Sequence, residues 1–319
     1  MIPEKENPVI DGFLAEESKN GADDASGLPG RLDRYSKAHH RSLEMSNYAF
    51  QQGDVKLSRE LTGCGHFLLF HHYYTIDKVR LHAAKFCRRH LLCPLCAIRR
   101  GAKQVQAYLS RLEVIRAQHP DLQLSLVTLT VKNQDDLVER HRHISQAFRR
   151  MQHARRAYLQ GRGPYVEMAK ALGAVGSYEA KIGKGSGLWH PHIHMVVLHR
   201  EPLDVMRLRS DWLKYSADSF MVDVTPFYSV DPVEGFLEVF KYGLKFSDMP
   251  LDKNWSAYKA LRGKRLIFSF GLFRGVEVPE DMTDDDLEDL PYVQLLYRFA
   301  QGAGYSFFTG HTRGAGAIG

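Results

Sequence analysis

Three histidines occupy alternate positions in the segment LWHPHIHMVVLHR, residues 188–200. If this segment is a strand, His192 and His194 lie on one face, about 7 Å apart along the chain, so both rings can reach one ion. Neutral imidazole is the commonest metal ligand in proteins, and a nearby carboxylate would complete a site for a divalent metal with open positions. The alternative interpretation is a half-buried strand that carries hydrogen-bonded histidines.

A hairpin would supply the carboxylate. The segment GAVGSYEAKIG, residues 173–183, predicts a strand, KGSG predicts a turn, and residues 191–199 predict the returning strand. With that turn, Glu179 lies almost opposite His192. We therefore expect Glu179, His192 and His194 to hold the ion, and His190 competes with Glu179 for the place of third ligand.

A second set of reactive residues lies in DPVEGFLEVFKYGLKFSD, residues 231–248. On a helix, Glu238, Tyr242 and Lys245 share one face. The pKa of tyrosine is about 10, so a tyrosine nucleophile needs help from a base or a cation. Lys245 would stabilise a phenolate or a phosphate, Glu238 would activate water, and a metal would polarise a phosphoryl oxygen. This set suits phosphodiester cleavage through a phosphotyrosine, whereas the alternative is an amphipathic helix with Glu–Lys pairs.

The four cysteines of the chain, Cys64, Cys87, Cys93 and Cys96, all lie in one stretch that ends in CPLC. Two thiolates in a C-x₂-C pair can meet one Zn²⁺ ion, and the other two cysteines would complete a four-sulfur site. His66 and His90 are possible substitutes. One alternative is that the cysteines are simply reduced and buried. A redox-active pair is less favoured, because the flanking sequence lacks the βαβ context of a thioredoxin-like motif. The neighbouring arginines are predicted to contact a DNA backbone. They are Arg88, Arg89, Arg99 and Arg100.

Charge supports a nucleic acid partner. The 43 Lys and Arg residues exceed the 37 Asp and Glu residues by 6, and the pI is about 9.0. Basic residues are concentrated in residues 78–116 and 139–162, a distribution that favours nucleic acid binding. No apolar run approaches the length of about 20 residues that spans a bilayer, and the N-terminus lacks a secretory pattern. These features predict a cytoplasmic protein with no membrane partner, whose cysteines do not form disulfides.

The remaining patterns predict the elements that must position these residues. Strands are expected at 122–133, 173–183, 191–199, 221–226 and 265–273, with helices at 135–160, 203–217 and 232–246. The β-α-β-β-α-β order predicts an α+β fold of the split-βαβ kind, with a mainly antiparallel sheet. In the helix at 135–160, His141 and His143 point about 200° apart and are expected on a solvated basic face. Residues 1–45 are expected to be a disordered leader, and residues 276–319 an acidic and Gly-rich tail.

Taken in chain order, LVTLTVKN, HPHIHMVV and EVFKYGLK resemble the three motifs of the HUH (His–hydrophobic–His) endonucleases. They are most similar to replication initiators of rolling-circle plasmids that use one tyrosine and a nearby glutamate. The cysteine-containing stretch and the segment ALRGKRLIFSFGLFRG are also similar to that group, and the resemblance spans about residues 55–275.

The resemblance implies a nuclease domain over 109–275 with a five-stranded antiparallel sheet, preceded by a cysteine-rich zinc module over 50–108. It implies Mg²⁺ or Mn²⁺ at His192 and His194, Tyr242 as the nucleophile that nicks and rejoins DNA, and Glu238 as the residue that activates water at termination. The implied partners are plasmid origin DNA with a single-stranded or extruded nick site, a host helicase and a DNA polymerase. A transposase or relaxase of the same superfamily, or a non-enzymatic zinc-containing DNA-binding protein, are the alternatives.

Overall fold

The chain forms two compact units, seen in a computed structural model that describes residues 23–183, 185–227, 232–241, 245, 248–287 and 290–313. The first unit comprises Met1–Lys103, Pro250–Trp255 and Pro279–Gly319, and the second comprises Gln104–Met249 and Ser256–Val278. Within the described residues, no helix is long and apolar enough to cross a membrane.

The described elements follow in chain order. The helices are α1 Leu28–Gln51, α2 Val55–Thr62, α3 Pro94–Gln118, α4 Leu137–Leu159, α5 Val205–Ser216, α6 Pro232–Phe240 and α7 Leu251–Leu261. The strands are β1 Phe67–Tyr73, β2 Lys78–Ala84, β3 Gln123–Thr130, β4 Gly173–Ile182, β5 Trp189–His199, β6 Val222–Pro226, β7 Ile267–Gly271, β8 Tyr292–Ala300 and β9 Gly304–Arg313.

The first unit is built on a four-stranded antiparallel sheet in the order β2-β1-β8-β9. The acidic segment before β8 binds within this unit through Asp284, which pairs with Arg31 at 2.7 Å and with Arg99. Burial alone would raise the pKa of the Asp284 carboxyl, but the two guanidinium groups hold that pKa far below its usual value. The carboxylate is therefore stably charged inside the unit.

These contacts differ from the predicted organisation of the two ends of the chain. Residues 28–45, expected in a disordered leader, belong to α1, whose buried face includes Tyr35, Ala38 and Met45. Residues 276–319, expected as a tail, include β8 and β9 of the first sheet. The predicted domain boundary between residues 108 and 109 also differs from the structure. The N-terminal segment of the first unit ends at Lys103, and the unit also includes Pro250–Trp255 and Pro279–Gly319. Sheet partners this distant in sequence leave no local signal in composition.

The second unit contains a five-stranded antiparallel sheet in the order β6-β3-β5-β4-β7, so the predicted α+β fold with five antiparallel strands is confirmed. Alternation along β3 and β5 puts a row of apolar side chains on one face, where they form a core with residues of α4 and α5. The indole of Trp212 in α5 donates a 2.7 Å hydrogen bond to the Thr130 carbonyl, which ties that helix to β3.

The opposite face of the same sheet carries the polar residues, because side chains alternate along each strand. In the β4–β5 register Glu179 pairs with His192, and Ser177 pairs with His194. In the β3–β5 register Thr128 pairs with His194. The hairpin predicted from the sequence is confirmed, with Glu179 directly opposite His192. Helix α6 packs against β4 and β5 and buries its apolar residues Phe236, Val239 and Phe240.

One expectation for α4 is wrong. The helix itself is confirmed, but His141 is buried rather than solvated, and its ring meets the edge of Tyr178 at 5.3 Å. Burial lowers the pKa of His141 to about 4, so this ring is neutral at pH 7. His143 lies 3.2 Å from Asp218.

Candidate functional site

The face of β4 and β5 beneath α6 brings together Glu179, His192 and His194. Their ligand atoms lie within 4.8 Å of one another. His192 Nε2 is 3.1 Å from Glu179 Oε1, and His194 Nε2 is 3.7 Å from Glu179 Oε2. The two imidazole rings are 4.5 Å apart at an interplanar angle of 78°. The histidines therefore approach one carboxylate from different directions, as two ligands of a single ion do.

The other ring nitrogens of the two histidines set their orientation. His192 Nδ1 lies 3.2 Å from the His190 carbonyl oxygen, which can only accept, so Nδ1 carries the proton. His194 Nδ1 lies 3.0 Å from the Thr128 hydroxyl, which can accept in the same way. Partners of this kind hold the tautomer that leaves the Nε2 lone pair for a metal. Both lone pairs then face Glu179.

Charge and burial at this site fit a divalent metal ion. Burial and the neighbouring His192 hold the pKa of His194 well below its usual value, so its ring is the neutral form that binds metals. The His194 Nε2 atom is buried and has no hydrogen-bond acceptor or donor partner among the described residues. Burial alone would raise the pKa of Glu179, but Lys245 and His192 hold it well below its usual value, so the group is a carboxylate. Two imidazoles and one carboxylate are a suitable ligand set for a divalent ion that keeps open positions.

Charged residues at the end of α6 and just beyond it complete the site. Lys245 Nζ is 2.8 Å from Glu179 Oε1, 2.8 Å from Glu179 Oε2 and 2.8 Å from Glu238 Oε1. Lys241 also forms an ion pair with Glu238, and Glu238 Oε1 lies 3.5 Å from His194 Nε2. Burial works against the charge of Glu238, but Lys245, His194 and Lys241 lower the pKa of this carboxyl to about 2. Glu238 is therefore ionised at neutral pH.

The predicted helix over 232–246 is described in part. Helix α6 ends at Phe240, and Tyr242 lies outside the described residues. On either side of it, the Lys241 N–H donates to the Leu237 carbonyl and the Lys245 N–H donates to the Lys241 carbonyl. The predicted partners of the tyrosine, Glu238 and Lys245, are in direct contact with each other.

His190, the competing third ligand, does not join the group of ligand atoms formed by Glu179, His192 and His194 within the described residues. Its Nδ1 atom lies 2.6 Å from the Asn133 side-chain oxygen, beyond the end of β3. The geometry therefore favours Glu179 over His190 as the third ligand beside His192 and His194.

The two histidines provide a matched test of this assignment. We expect His192→Ala to weaken Mn²⁺ binding by at least about 100-fold, because even partners that only orient a ligand contribute about 10- to 100-fold. We expect His190→Ala to bind Mn²⁺ as the unchanged chain does, because alanine retains the carbonyl that accepts from His192. Titration of each protein with Mn²⁺, followed by the electron paramagnetic resonance signal of the free ion, measures both. Equal losses in the two variants would contradict the assignment.

The four cysteines form a separate group in the first unit. Cys64 Sγ lies 3.5 Å from Cys93 Sγ and 3.5 Å from Cys96 Sγ, and Cys87 Sγ lies 3.6 Å from Cys96 Sγ. All four are free of disulfides, and their sulfur atoms lie within 4.8 Å of one another. Tetrahedral Zn²⁺ with bonds of about 2.3 Å to sulfur separates its ligands by about 3.8 Å, so this donor set fits zinc. The substitutes His66 and His90 are not members of the group.

The predicted DNA-contacting arginines have different surroundings. Arg88, Arg89 and Arg100 are exposed, and Arg89 pairs with Glu60 at 2.8 Å. The structure contradicts the prediction for Arg99, which is 2% exposed and donates to the Met282 carbonyl and to Asp284. A guanidinium held inside its unit by these acceptors does not reach a DNA phosphate.

A third cluster, of His71, His82 and Asp286, was not singled out from the sequence. A register shift in the β1–β2 pairing lies beside His82, whose Nδ1 is 2.8 Å from Asp286, while His71 Nδ1 is 3.2 Å from the same carboxylate. The two rings are stacked in parallel, 3.7 Å apart at 17°. A metal ion lies in the plane of each imidazole that binds it, so two rings stacked in this way do not share one. The cluster is a carboxylate-bound histidine pair.

Comparison with known proteins gives one consistent result. The model of a family described as "Replication protein" matches residues 78–295, more than half of the chain. A curated protein of Lactiplantibacillus plantarum named "Protein rep" is 24% identical over 278 residues, covering 78% of this chain and 83% of that protein. Proteins with the same name from Streptococcus pneumoniae serotype 2 and Lentilactobacillus hilgardii are each 24% identical. The match to the Streptococcus pneumoniae protein covers 67% of this chain and 69% of that protein. The match to the Lentilactobacillus hilgardii protein covers 77% of this chain and 83% of that protein. No solved structure matches the chain.

Proposed function

This chain belongs to the replication protein family and is a plasmid replication initiator, and we propose that it nicks one strand at the origin through a phosphotyrosine and rejoins that strand at termination. Membership of the family implies that the protein binds plasmid origin DNA. We further propose that the five-stranded sheet of the second unit is an HUH nuclease core. A host helicase and a DNA polymerase would be its partners in replication.

The convergence of Glu179, His192 and His194 with Glu238 and Lys245 supports this proposal more than any other observation. Two histidines and a carboxylate suit a divalent ion, and a lysine beside them suits a phosphate. A zinc-containing protein that only binds DNA has no use for this set of two histidines, two carboxylates and a lysine at a second, cysteine-free place.

In the proposed reaction the phenolic oxygen of Tyr242 attacks the scissile phosphorus. A bond forms between phosphorus and the tyrosine oxygen, and the bond from phosphorus to the 3′ oxygen breaks, which leaves a 5′-phosphotyrosine and a free 3′-OH. The phenolic proton is lost to solvent and the departing 3′ oxygen gains one. Mg²⁺ or Mn²⁺, held by Glu179, His192 and His194, would polarise the phosphoryl oxygen when bound. Lys245 would balance the negative charge of the phosphate.

The surroundings of Glu238 refine the role that the family resemblance implies for it. A carboxylate whose pKa is about 2 is a weak general base, because proton transfer is most efficient when the pKa lies near the working pH. Its oxygens accept hydrogen bonds well, however. We propose that Glu238 orients the water that attacks at termination, and that it does so while bound to Lys241 and Lys245.

The experiment that tests the proposed function is incubation of the full chain with a labelled single-stranded origin oligonucleotide and Mn²⁺. We expect a protein–DNA adduct that survives denaturation, and no adduct when the divalent ion is omitted. Cleavage without an adduct would point to a simple hydrolytic nuclease, and binding without cleavage would point to a DNA-binding protein. Adduct formation on transposon-end DNA in place of origin DNA would favour a transposase.

Substitution of Glu238 separates initiation from termination. We expect Glu238→Ala to form the adduct with the oligonucleotide but to release plasmid multimers instead of single circles, because the second cleavage lacks its oriented water. The exposed Glu234 lies one turn earlier in α6, and Glu234→Ala is the matched control with normal products. Gel analysis of the plasmid forms made in a replication extract measures the outcome. Monomeric circles from Glu238→Ala would refute this role.

A further inference from the structure

Lys245 places a positive charge between the two carboxylates of the site. Its Nζ atom is 2.8 Å from each oxygen of Glu179 and 2.8 Å from Glu238 Oε1, and its side chain is 10% exposed. Two carboxylates in such a buried position repel each other and are stable as anions only with a cation between them. Lys245 is thus the counter-ion of both.

The same carboxylate also faces the histidine pair. Glu179 Oε1 lies 3.1 Å from His192 Nε2 and 2.8 Å from Lys245 Nζ, so one oxygen is shared between a metal-binding nitrogen and an ammonium group. The side chain of Glu179 is fully buried, which strengthens every charge interaction around it. An ammonium group and a divalent cation that both bind this carboxylate repel each other strongly.

We infer that Lys245 is a resident counter-ion that competes with the divalent metal ion for Glu179. This inference rests on the proposed function, since it takes Glu179, His192 and His194 as the metal ligands. With a metal ion on Glu179, Lys245 would keep only its second acceptor, Glu238. The affinity of the site for the metal is therefore lower than the three ligands alone would give.

Competition at Glu179 links metal binding to the arrival of substrate. If metal and Lys245 exclude each other on this carboxylate, any anion that draws Lys245 away strengthens metal binding, and the reverse also holds. A DNA phosphate is such an anion. Metal loading and phosphate binding are then mutually favourable, so the site is loaded where its substrate is present.

A different role for Lys245 leads to the opposite expectation. If Lys245 served only to hold Glu179 in position for the metal, its removal would weaken metal binding. Two other lysines lie near these carboxylates, so the effect of Lys245 on metal binding is compared with that of a neighbouring lysine. Lys181 Nζ is 3.8 Å from Glu179 Oε1, and Lys241 forms an ion pair with Glu238.

The test is titration of the full chain with MnCl₂ at neutral pH, followed by the electron paramagnetic resonance signal of the free ion. We expect Lys245→Met to bind Mn²⁺ at least about tenfold more tightly, since a nearby charge typically shifts the proton affinity of a carboxyl by 1–3 pKa units and acts on a metal in the same sense. Lys245→Arg keeps the charge and should bind as the unchanged chain does. Lys241→Met removes an equal charge from Glu238 and should change the affinity much less.

The possible results separate this inference from the proposed function. Equal or weaker Mn²⁺ binding by Lys245→Met, with binding still lost in His192→Ala, would overturn the competition and leave the metal site in place. Mn²⁺ binding that is insensitive to His192→Ala would overturn both. If Lys245→Met fails to fold, Lys245→Gln removes the charge but retains amide donors for the two carboxylates, and the same tightening is expected of it.

Discussion

Tyr242→Phe is expected to abolish the covalent protein–DNA adduct while DNA binding persists. The substitution removes only the phenolic oxygen, which is the proposed nucleophile. Tyr242 lies outside the described residues, but Glu238 and Lys245, on either side of it in sequence, meet each other and the histidine site. These contacts of the residues four before and three after Tyr242 in sequence support the choice of this tyrosine for the test.

The adduct is measured on a denaturing gel with a labelled single-stranded origin oligonucleotide and Mn²⁺, and binding is measured by gel shift. Tyr158→Phe is the matched control, since Tyr158 is a partly exposed tyrosine of the same unit at the end of α4. We expect this control to form the adduct at the normal rate. If Tyr242→Phe still formed an adduct, another residue would be the nucleophile. A protein without this chemistry would show no adduct in any variant.

Cys93→Ser is expected to lower the stability of the first unit more than any other substitution proposed for this protein, because it removes a ligand of the proposed zinc site. Cys93 is completely buried, and its Sγ lies 3.5 Å from that of Cys64. Cys64 precedes β1, Cys87 follows β2, and Cys93 and Cys96 lie at the start of α3. One ion at this point would join three elements of the first unit. Structural zinc sites contribute on the order of 10 kcal/mol to folding, and a serine hydroxyl is a far weaker ligand than a thiolate.

Two measurements check this prediction. Atomic absorption on the purified chain should give about one zinc per molecule, falling toward zero in Cys93→Ser, and thermal unfolding should show early loss of the first unit. His90→Gln is the control, because His90 lies in the same stretch but outside the four-sulfur group. It should retain zinc. A wild-type chain with much less than one zinc per molecule would show that these cysteines are simply reduced and buried.

Several features of the site could be predicted because they depend on short-range geometry. The alternation of a strand places His192 and His194 on one face whatever the strand packs against. The short connection between β4 and β5, together with the apolar pattern of the two strands, sets the register that brings Glu179 opposite His192. Helical spacing likewise brings Glu238 and Lys245 to one side of their segment. In each case the covalent chain itself limits the distance between the residues.

Other features depended on which surfaces of distant segments meet. Arg99 resembles its neighbours Arg88, Arg89 and Arg100 in sequence, yet it alone of the four is buried, because Met282 and Asp284 come from nearly 200 residues further along the chain. His141 is similarly covered by Tyr178 from another strand. Nothing in their local sequence distinguishes a buried cation or imidazole from a solvated one.

Sequence patterns were thus sufficient to predict that Glu179, His192 and His194 lie together, that the four cysteines form one group and that the strands of the second unit are antiparallel. Tertiary structure decided that β8 and β9 near the C-terminus join the sheet of β1 and β2, that Arg99 is an internal ion-pair residue, and that Lys245 contacts Glu179 as well as Glu238. Burial and charge pairing depend on the summed contacts of segments far apart in sequence, and no local pattern encodes that sum.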